Sequence, residues 1–562
     1  MIRVADYIVE FLVKNNIRDI FVLTGFGAMY LNDAIAAKKG LRYYCVRNEA
    51  TSPMMAEAYA RITQGVGAVC LTAGPGSTNA VPGLAEAFVD SAPILVISGQ
   101  VEKTHTTHYL KMPGLRTFGT AEIDIVPIVK PLTKYSVMVD DPKMIGYHLQ
   151  KALYLAREGR PGPVWLDIPQ DIQSAKINLK ELKKFSIRKI KNGSNLKKID
   201  DLIKLLKTSK RPLVIAGHGI RLSNKESDFL KIIEILKIPV VMTRLGLDLF
   251  PYSHELNMGL GGIKGTRFST QILKNSDLIL VLGARLAIPF VGPNMDAFGT
   301  KAKIISVDIS EAELNKAGVK IHLKIKSNLK DFLPSFLKSV VEGEFPHYSK
   351  WLRFCQELKE KNPMIIPSMI KDPIDLYYFM SRIDALSTKK NILITDAGSN
   401  YYVGGQVWRF EKGQREITSA TFAAMGLSIP LAIGAAVGKP KHQVLAVTGD
   451  GSLELNIQEL KTMSYYNLNI KLFVANNGGY VSMRNWQDKI FEGRRIGSDE
   501  TTGIPVLNLK NIARAFDLKY DHIDKFTEID NKIKKIMSKK GPLFIEVVCD
   551  NAQRIIEPMK DY

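Results

Sequence analysis

Two short polar signatures, each closing an apolar run, constrain this chain more than any other feature. Gly449-Asp450-Gly451-Ser452 ends the run Val444-Leu445-Ala446-Val447, and Asn476-Asn477 ends Ile470-Lys471-Leu472-Phe473-Val474-Ala475. Both runs read as buried strands, so both signatures fall where strands of an α/β sheet end, which is where such sheets bind ligands. A carboxylate and an amide oxygen suit a hard divalent cation such as Mg2+, shared with phosphate groups. Glycines beside the Asp let a diphosphate approach the backbone. Alone, Gly-Asp-Gly is also an ordinary turn. The spaced pair is more specific, with strand context on both sides and 24 residues between Gly451 and Asn476.

The same alternation of strand and helix patterns fills the chain. Strands are predicted at 21–23, 68–71, 94–97 and 164–168, and helices at 4–15 and 53–61. Further strands are predicted at 213–215, 240–242, 278–282 and 304–307, then at 392–395, the two runs above, and 543–548. Continuous apolar strands separated by helices imply parallel sheets covered on both faces. The 562 residues suit about three domains of ~150 residues. The boundaries predicted are 1–178, 196–340 and 367–550, each a central parallel sheet flanked by helices, with polar joins at 189–198 and 342–346.

Composition sorts the function classes. Apolar content of 46% and charged content of 24% are those of a globular protein. The start, Met1 to Tyr7, turns amphipathic at once and reads as no signal peptide. No apolar run is long enough to span a bilayer, so no membrane partner is expected. Cys45, Cys70, Cys355 and Cys549 lack metal-ligand spacing and read as thiols of a reducing cytoplasm. The net charge of +21 concentrates between Lys176 and Arg211, with thirteen Lys or Arg against three Asp or Glu. That stretch has one aromatic, Phe185, and no binding motif, so it reads as a solvated connector and no nucleic-acid partner is expected.

Other segments join the two signatures. Arg47-Asn48-Glu49-Ala50 precedes Ala56-Glu57-Ala58-Tyr59-Ala60-Arg61. Read alone, Glu49 is an acid in a helix first turn, favoured by the macrodipole. Ala73-Gly74-Pro75-Gly76-Ser77-Thr78-Asn79 lies between a strand and a helix, either as a phosphate cradle or as a tight turn. Ser419 to Pro430 holds Ala423 and Met425 in an apolar loop, where a Met is ordinarily core filler.

Together these residues resemble the acetolactate (acetohydroxyacid) synthase large-subunit family of thiamine diphosphate (ThDP) enzymes over essentially the whole length. The resemblance implies pyrimidine-binding, middle and diphosphate-binding domains. It implies that Asp450, Asn477 and the Gly479 carbonyl hold Mg2+ on the cofactor diphosphate. Glu49 becomes the carboxylate beside N1′ of the aminopyrimidine, and Glu57 stays structural. Met425 becomes the wedge that bends the cofactor, with the Ala423 carbonyl and Met425 amide on the pyrimidine edge. Gly74, Ser399, Asn400, Gly449, Gly451 and Ser452 join the cofactor-binding set. Met483-Arg484-Asn485-Trp486 looks like the lid over the thiazolium. The implied activity is a decarboxylating carboligase with a 2-keto acid donor, pyruvate, and a carbonyl acceptor. The implied assembly is a homodimer or homotetramer with sites shared between subunits; a regulatory subunit and FAD are left open.

The chain also departs from the family. Thr120-Ala121-Glu122 stands where synthases carry Phe-Gln-Glu, and Thr24-Gly25-Phe26-Gly27 where they carry Pro-Gly-Gly-Ala. Gly25, Phe26, Ala121, Met483 and Trp486 are therefore the residues expected to shape the substrate pocket. In the middle domain Gly283-Ala284-Arg285 is present, the following Asp-Asp-Arg is not, and Ser310 stands where an Asp would follow the last strand. These changes bear on the acceptor and the flavin. Alternatives are acetyl transfer to a keto-sugar nucleotide, a ThDP-dependent decarboxylase or acyl-CoA lyase, and a non-catalytic ThDP-fold module, which would be expected to have lost Glu49 or a metal ligand.

Overall fold

The computed structural model describes residues 1–186 and 196–558; most of the predicted join at 189–198 lies outside them. Three domains follow one another, each with a six-stranded parallel sheet flanked by helices. The first sheet runs Arg42–Cys45, Asp19–Val22, Gly67–Leu71, Ile94–Gln100, Val164–Pro169, Tyr135–Met138, an order of 2-1-3-4-6-5 along the chain. The third runs Arg415–Ile417, Asn391–Thr395, Gln443–Gly449, Ile470–Asn476, Leu543–Val548, Lys519–Ile523, again 2-1-3-4-6-5. The middle sheet differs: Asn257–Leu260, Val240–Met242, Pro212–Ala216, Leu278–Leu282, Lys303–Asp308, Leu323–Lys326, or 3-2-1-4-5-6. A short antiparallel pair, Ile2–Arg3 with Lys176–Ile177, ties the first residues to the far end of the first domain.

The four inner strands of every sheet lie where the apolar runs predict them. The two edge strands of every sheet were not anticipated. Inner strands such as Ile94–Gln100 and Leu278–Leu282 are buried along their whole length, which makes them continuous apolar runs. Edge strands such as Arg42–Cys45, Leu323–Lys326 and Lys519–Ile523 are short, partly exposed and mixed in polarity, as edges generally are.

The first and third domains share a core. Helix Thr51–Thr63 packs on helix Ser428–Gly438, and both are buried on nearly every face. The approach depends on Gly434, where a Cβ would sit 2.1 Å from the Met55 carbonyl oxygen. A side chain there would force the helices apart and open voids along the interface. The helix just behind Glu49 is thus clamped by the domain that carries Asp450. Among the described residues no helix is long and apolar enough to cross a membrane. All four cysteines are free thiols, three of them buried.

Candidate active site

Parallel register brings the two opening signatures together. Gly449 pairs with Ala475 on the adjacent strand, so Asp450 and Asn477 leave neighbouring strand ends side by side. Asp450 is 4% exposed and its carboxylate is wrapped in backbone amides. Oδ2 accepts N–H bonds from Asn477 (3.1 Å), Gly478 (2.8 Å) and Gly479 (3.0 Å), and Oδ1 accepts one from Gly451 (2.8 Å). Burial raises the Asp450 pKa, and the four amides oppose that shift. The turn needs glycine: φ is +74° at Gly478 and +103° at Gly479. Asn477 Oδ1 is buried without a hydrogen-bond partner. A buried amide oxygen left unpaired costs about 1–3 kcal/mol, and a hard cation would satisfy it. The residues therefore fit a divalent metal.

The surroundings fit a diphosphate. Nothing lies within 4 Å of a Cβ built on Gly449. Gly398, at φ +86°, opens helix Ser399–Val407 just past the end of strand Asn391–Thr395, the parallel neighbour of Gln443–Gly449, so a helix N-terminus starts at the same edge of the sheet. Gly451 is required for another reason, since a Cβ would lie 2.2 Å from the Tyr480 ring. Two residues of the expected cofactor-binding set have side chains already engaged within the protein. The Asn400 side chain is committed to Asp396 and the Ala397 carbonyl. Ser452 Oγ accepts from the Gly426 amide and donates to Asp396 Oδ2. Both side chains converge on Asp396, whose pKa burial pushes up to about 6.

Ala423 has a left-handed φ of +48°, and its amide donates to Ser419 Oγ at 2.7 Å. Met425 follows, half-buried. All three domains hold this loop: the Ala420 amide donates to Asp90 Oδ2 (2.8 Å), Arg285 Nη2 to Thr421 Oγ1 (3.0 Å), and Tyr401 Oη to the Ala420 carbonyl (2.9 Å).

The first domain gathers a second cluster, again at C-terminal strand ends. Glu49 lies just outside the helix, which begins at Thr51; the first-turn placement is corrected. Its Oε2 accepts from Asn79 Nδ2 at 2.8 Å, so the Gly74–Asn79 loop sits against it. Gly74 has φ +60°, and a Cβ there would lie 2.1 Å from the Ala121 carbonyl oxygen. Ala121 is thereby packed on the same loop, itself at φ +57°. Gly25 and Gly27 crowd Thr72 just before that loop, and the Phe26 ring is 68% exposed. Glu57 is buried and paired with Arg61 at 2.8 Å.

Among the described residues no hydrogen bond or ion pair joins Glu49 to the Asp450 cluster. What the sequence did not reveal is Glu459, fully buried in the third domain. Its Oε1 accepts from the Arg47 amide (2.9 Å), the Asn48 amide (3.1 Å) and Thr51 Oγ1 (2.8 Å). It fixes the turn that carries Glu49. No local pattern marks it, because its partners lie some 410 residues away.

A cavity of about 680 Å3 lies between the domains, lined by His218, Gly283, Arg285, Asp308, Tyr401 and Trp486 among others. It opens where strands Pro212–Ala216 and Leu278–Leu282 end, the point at which the 3-2-1-4-5-6 order reverses. A Cβ on Gly217 would lie 2.1 Å from the Gly283 carbonyl oxygen. Strand Lys303–Asp308 is not the last of its sheet, since Leu323–Lys326 follows; Ser310 caps the short helix Glu311–Asn315.

Comparison with known proteins agrees with this geometry. Family models described as "Thiamine pyrophosphate enzyme" match as the N-terminal TPP binding domain over 2–123, the central domain over 199–336 and the C-terminal TPP binding domain over 396–547. Fold and site thus define a ThDP-dependent enzyme. The chain is 30% identical to the acetolactate synthase large subunit of Cyanidium caldarium, covering 99% of this chain and 95% of that one. It is 32% identical to the Lactococcus lactis large subunit (98% and 93% covered) and 30% identical to isozyme 1 of Escherichia coli K12 (98% and 94%). The chain belongs to the acetolactate synthase-like family of ThDP-dependent carboligases.

Proposed function

We propose that the enzyme uses Mg2+ and ThDP to decarboxylate a 2-keto acid, with pyruvate as donor, and joins the two-carbon fragment to a carbonyl acceptor other than a small 2-keto acid. The observation that carries the metal reading is the pairing of an amide-wrapped Asp450 with an unpartnered Asn477 Oδ1 on adjacent strand ends. Asp450, Asn477 Oδ1 and the Gly479 carbonyl would hold Mg2+, and the N-terminus at Gly398–Ser399 would face the diphosphate. Bound ThDP supplies the electron sink for decarboxylation. The chain's own residues supply the rest. Glu49, oriented by Asn79 and by the Glu459-held turn, serves as the carboxylate partner of the pyrimidine. Met425 and Ala423 set the pyrimidine edge, and Met483 and Trp486 cover the reacting face. The assembly we propose is the one the family resemblance implies, a homodimer or homotetramer with sites completed by a second subunit, for a cytoplasmic enzyme.

The acceptor reading rests on positions 26 and 121. A site that holds a second 2-keto acid by a polar contact loses discrimination when that contact is absent. Ala121 offers none, and Glu122 cannot replace it: its carboxylate accepts from Thr107 N, Thr107 Oγ1 and Phe118 N within its own loop. Phe26 adds an apolar wall. A keto-sugar nucleotide is the alternative acceptor of this kind. Trp486, in the segment that looks like the family's lid, supports the competing reading of an ordinary synthase.

The middle cavity suits the nucleotide half of FAD. His218 Nε2 is buried there without a partner, and the crowded glycines let a ligand approach the backbone. Flavin absorbance of the purified protein tests this. The function itself is tested by CO2 release from pyruvate, alone and with 2-ketobutyrate, an aldehyde or a keto-sugar nucleotide, comparing kcat/KM for each acceptor. A wide margin for 2-ketobutyrate would overturn the acceptor assignment, and no CO2 release would overturn the donor.

A further inference from the structure

The turn 476–480 is gripped from two sides. On one side the Asp450 carboxylate draws in the amides of residues 477, 478 and 479. On the other lies Arg484, in the first turn of helix Val481–Phe491 and only 6% exposed. Its Nη1 donates to the Gly478 carbonyl at 2.6 Å and the Ser498 carbonyl at 3.0 Å; its Nη2 donates to the Asn477 carbonyl at 2.7 Å and the Asn551 carbonyl at 3.1 Å. A planar guanidinium spans four acceptors in this way, which an ammonium cannot do. Of the oxygens of residues 477–479 the grip leaves Asn477 Oδ1 and the Gly479 carbonyl, while the Asn476 and Tyr480 carbonyls are taken by the amides of Cys549, Met483 and Arg484.

We propose that Arg484 is the positioning residue that makes this site selective for Mg2+: by holding the Asn477 and Gly478 carbonyls away from the metal, it restricts the turn to two ligand oxygens at fixed positions. The proposal rests on the cation reading above. Its physical basis is the contrast between the two common hard cations. Mg2+ demands near-octahedral geometry at about 2.0–2.1 Å, whereas Ca2+ accepts six to eight oxygens at about 2.3–2.6 Å in loose arrangements. A turn released from Arg484 can rotate extra carbonyls inward. That suits the larger, more tolerant ion and spoils the site for the smaller one. The guanidinium charge also disfavours any cation that would share the two carbonyls it occupies. The same residue fixes the helix that carries Met483 and Trp486 to this turn, so lid and metal site are built as one unit.

The test compares wild type, Arg484→Lys and Arg484→Met for ThDP binding by calorimetry, titrated separately with Mg2+ and Ca2+; Asn477→Ala is the control. Outer-shell partners typically control metal affinity by about 10–100-fold. The half-saturating Mg2+ concentration should therefore rise about tenfold or more in Arg484→Met, while the Ca2+ value moves by less than about threefold. Arg484→Lys, which reaches fewer carbonyls, should fall between, and it carries the comparison if the Met variant does not fold. Asn477→Ala should weaken both ions. A merely structural Arg484 would lower thermal stability and leave the Mg2+ to Ca2+ ratio unchanged in both variants, which overturns the inference alone. Wild-type ThDP binding that needs no divalent ion would instead overturn the cation site, and this inference with it.

Discussion

Replacing Glu86 by Gln should stabilise the protein, and increasingly so as pH rises. Glu57, Glu86 and Asp90 are buried, with one oxygen of each within 4.8 Å of the others. Arg61 is the cation among them, 2.8 Å from Glu57 and 3.7 Å from Asp90. Facing charges from other elements are Arg160 and Arg285, which act on Asp90; Lys130, on the neighbouring turn, is exposed. The Ser419 side chain hydrogen-bonds Glu86 and only partly offsets its burial, and Glu57 Oε2 and Asp90 Oδ1 are unpaired. Burial, and then the Asp90 charge, push Glu86 from 4.5 up to about 7. Between those values the folded chain holds a proton that the unfolded chain has lost. Stability from this group is therefore full below pH 4.5 and is lost as pH rises through about 7. At 1.36 kcal/mol per unit, the cost above pH 7 is about 3 kcal/mol. Gln removes the charge and adds an N–H2 donor for the unpaired Asp90 or Glu57 oxygen. Thermal unfolding of both proteins between pH 5 and 8 is the assay. The variant should melt several degrees higher at pH 8 and close to wild type at pH 5. A gap that stays flat with pH, or a Gln variant weaker at pH 8, would refute the reasoning.

Glu49→Gln should retain fold and ThDP but slow deuterium exchange at C2 of the bound cofactor by about 100-fold or more, because the amide fills the same volume without the carboxylate's function; exchange at the wild-type rate would remove Glu49 from that role. Mixing Glu49→Gln with Asp450→Ala subunits, each inactive alone, should restore about a quarter of wild-type activity if sites are shared across a two-fold, and activity in a strictly monomeric preparation would contradict it. Gly74→Ala should cost about 1–3 kcal/mol from the strained φ alone, with the 2.1 Å approach to the Ala121 carbonyl adding to it; an unchanged melting temperature would show that the loop adjusts.

The middle of each sheet and both polar signatures were legible in the sequence for one physical reason. Strands buried on two faces must be apolar along their whole length, and glycine and carboxylate clusters at their ends have few other uses. Asp450 and Asn477 could be paired by reading alone, because parallel neighbours deliver their C-terminal ends to the same place. Tertiary structure decided what depends on partners remote in sequence. Edge strands such as Arg42–Cys45 and Lys519–Ile523 carry no apolar run, since one side faces no neighbouring strand. Glu459 looks like any helix acid until the turn at Arg47 and Asn48 closes over it. Arg484 looks like a surface cation on a lid, yet four carbonyls from three segments converge on it. The Asn400 and Ser452 side chains, which motif position alone leaves unassigned, are engaged by Asp396, a carboxylate that burial leaves in need of donors.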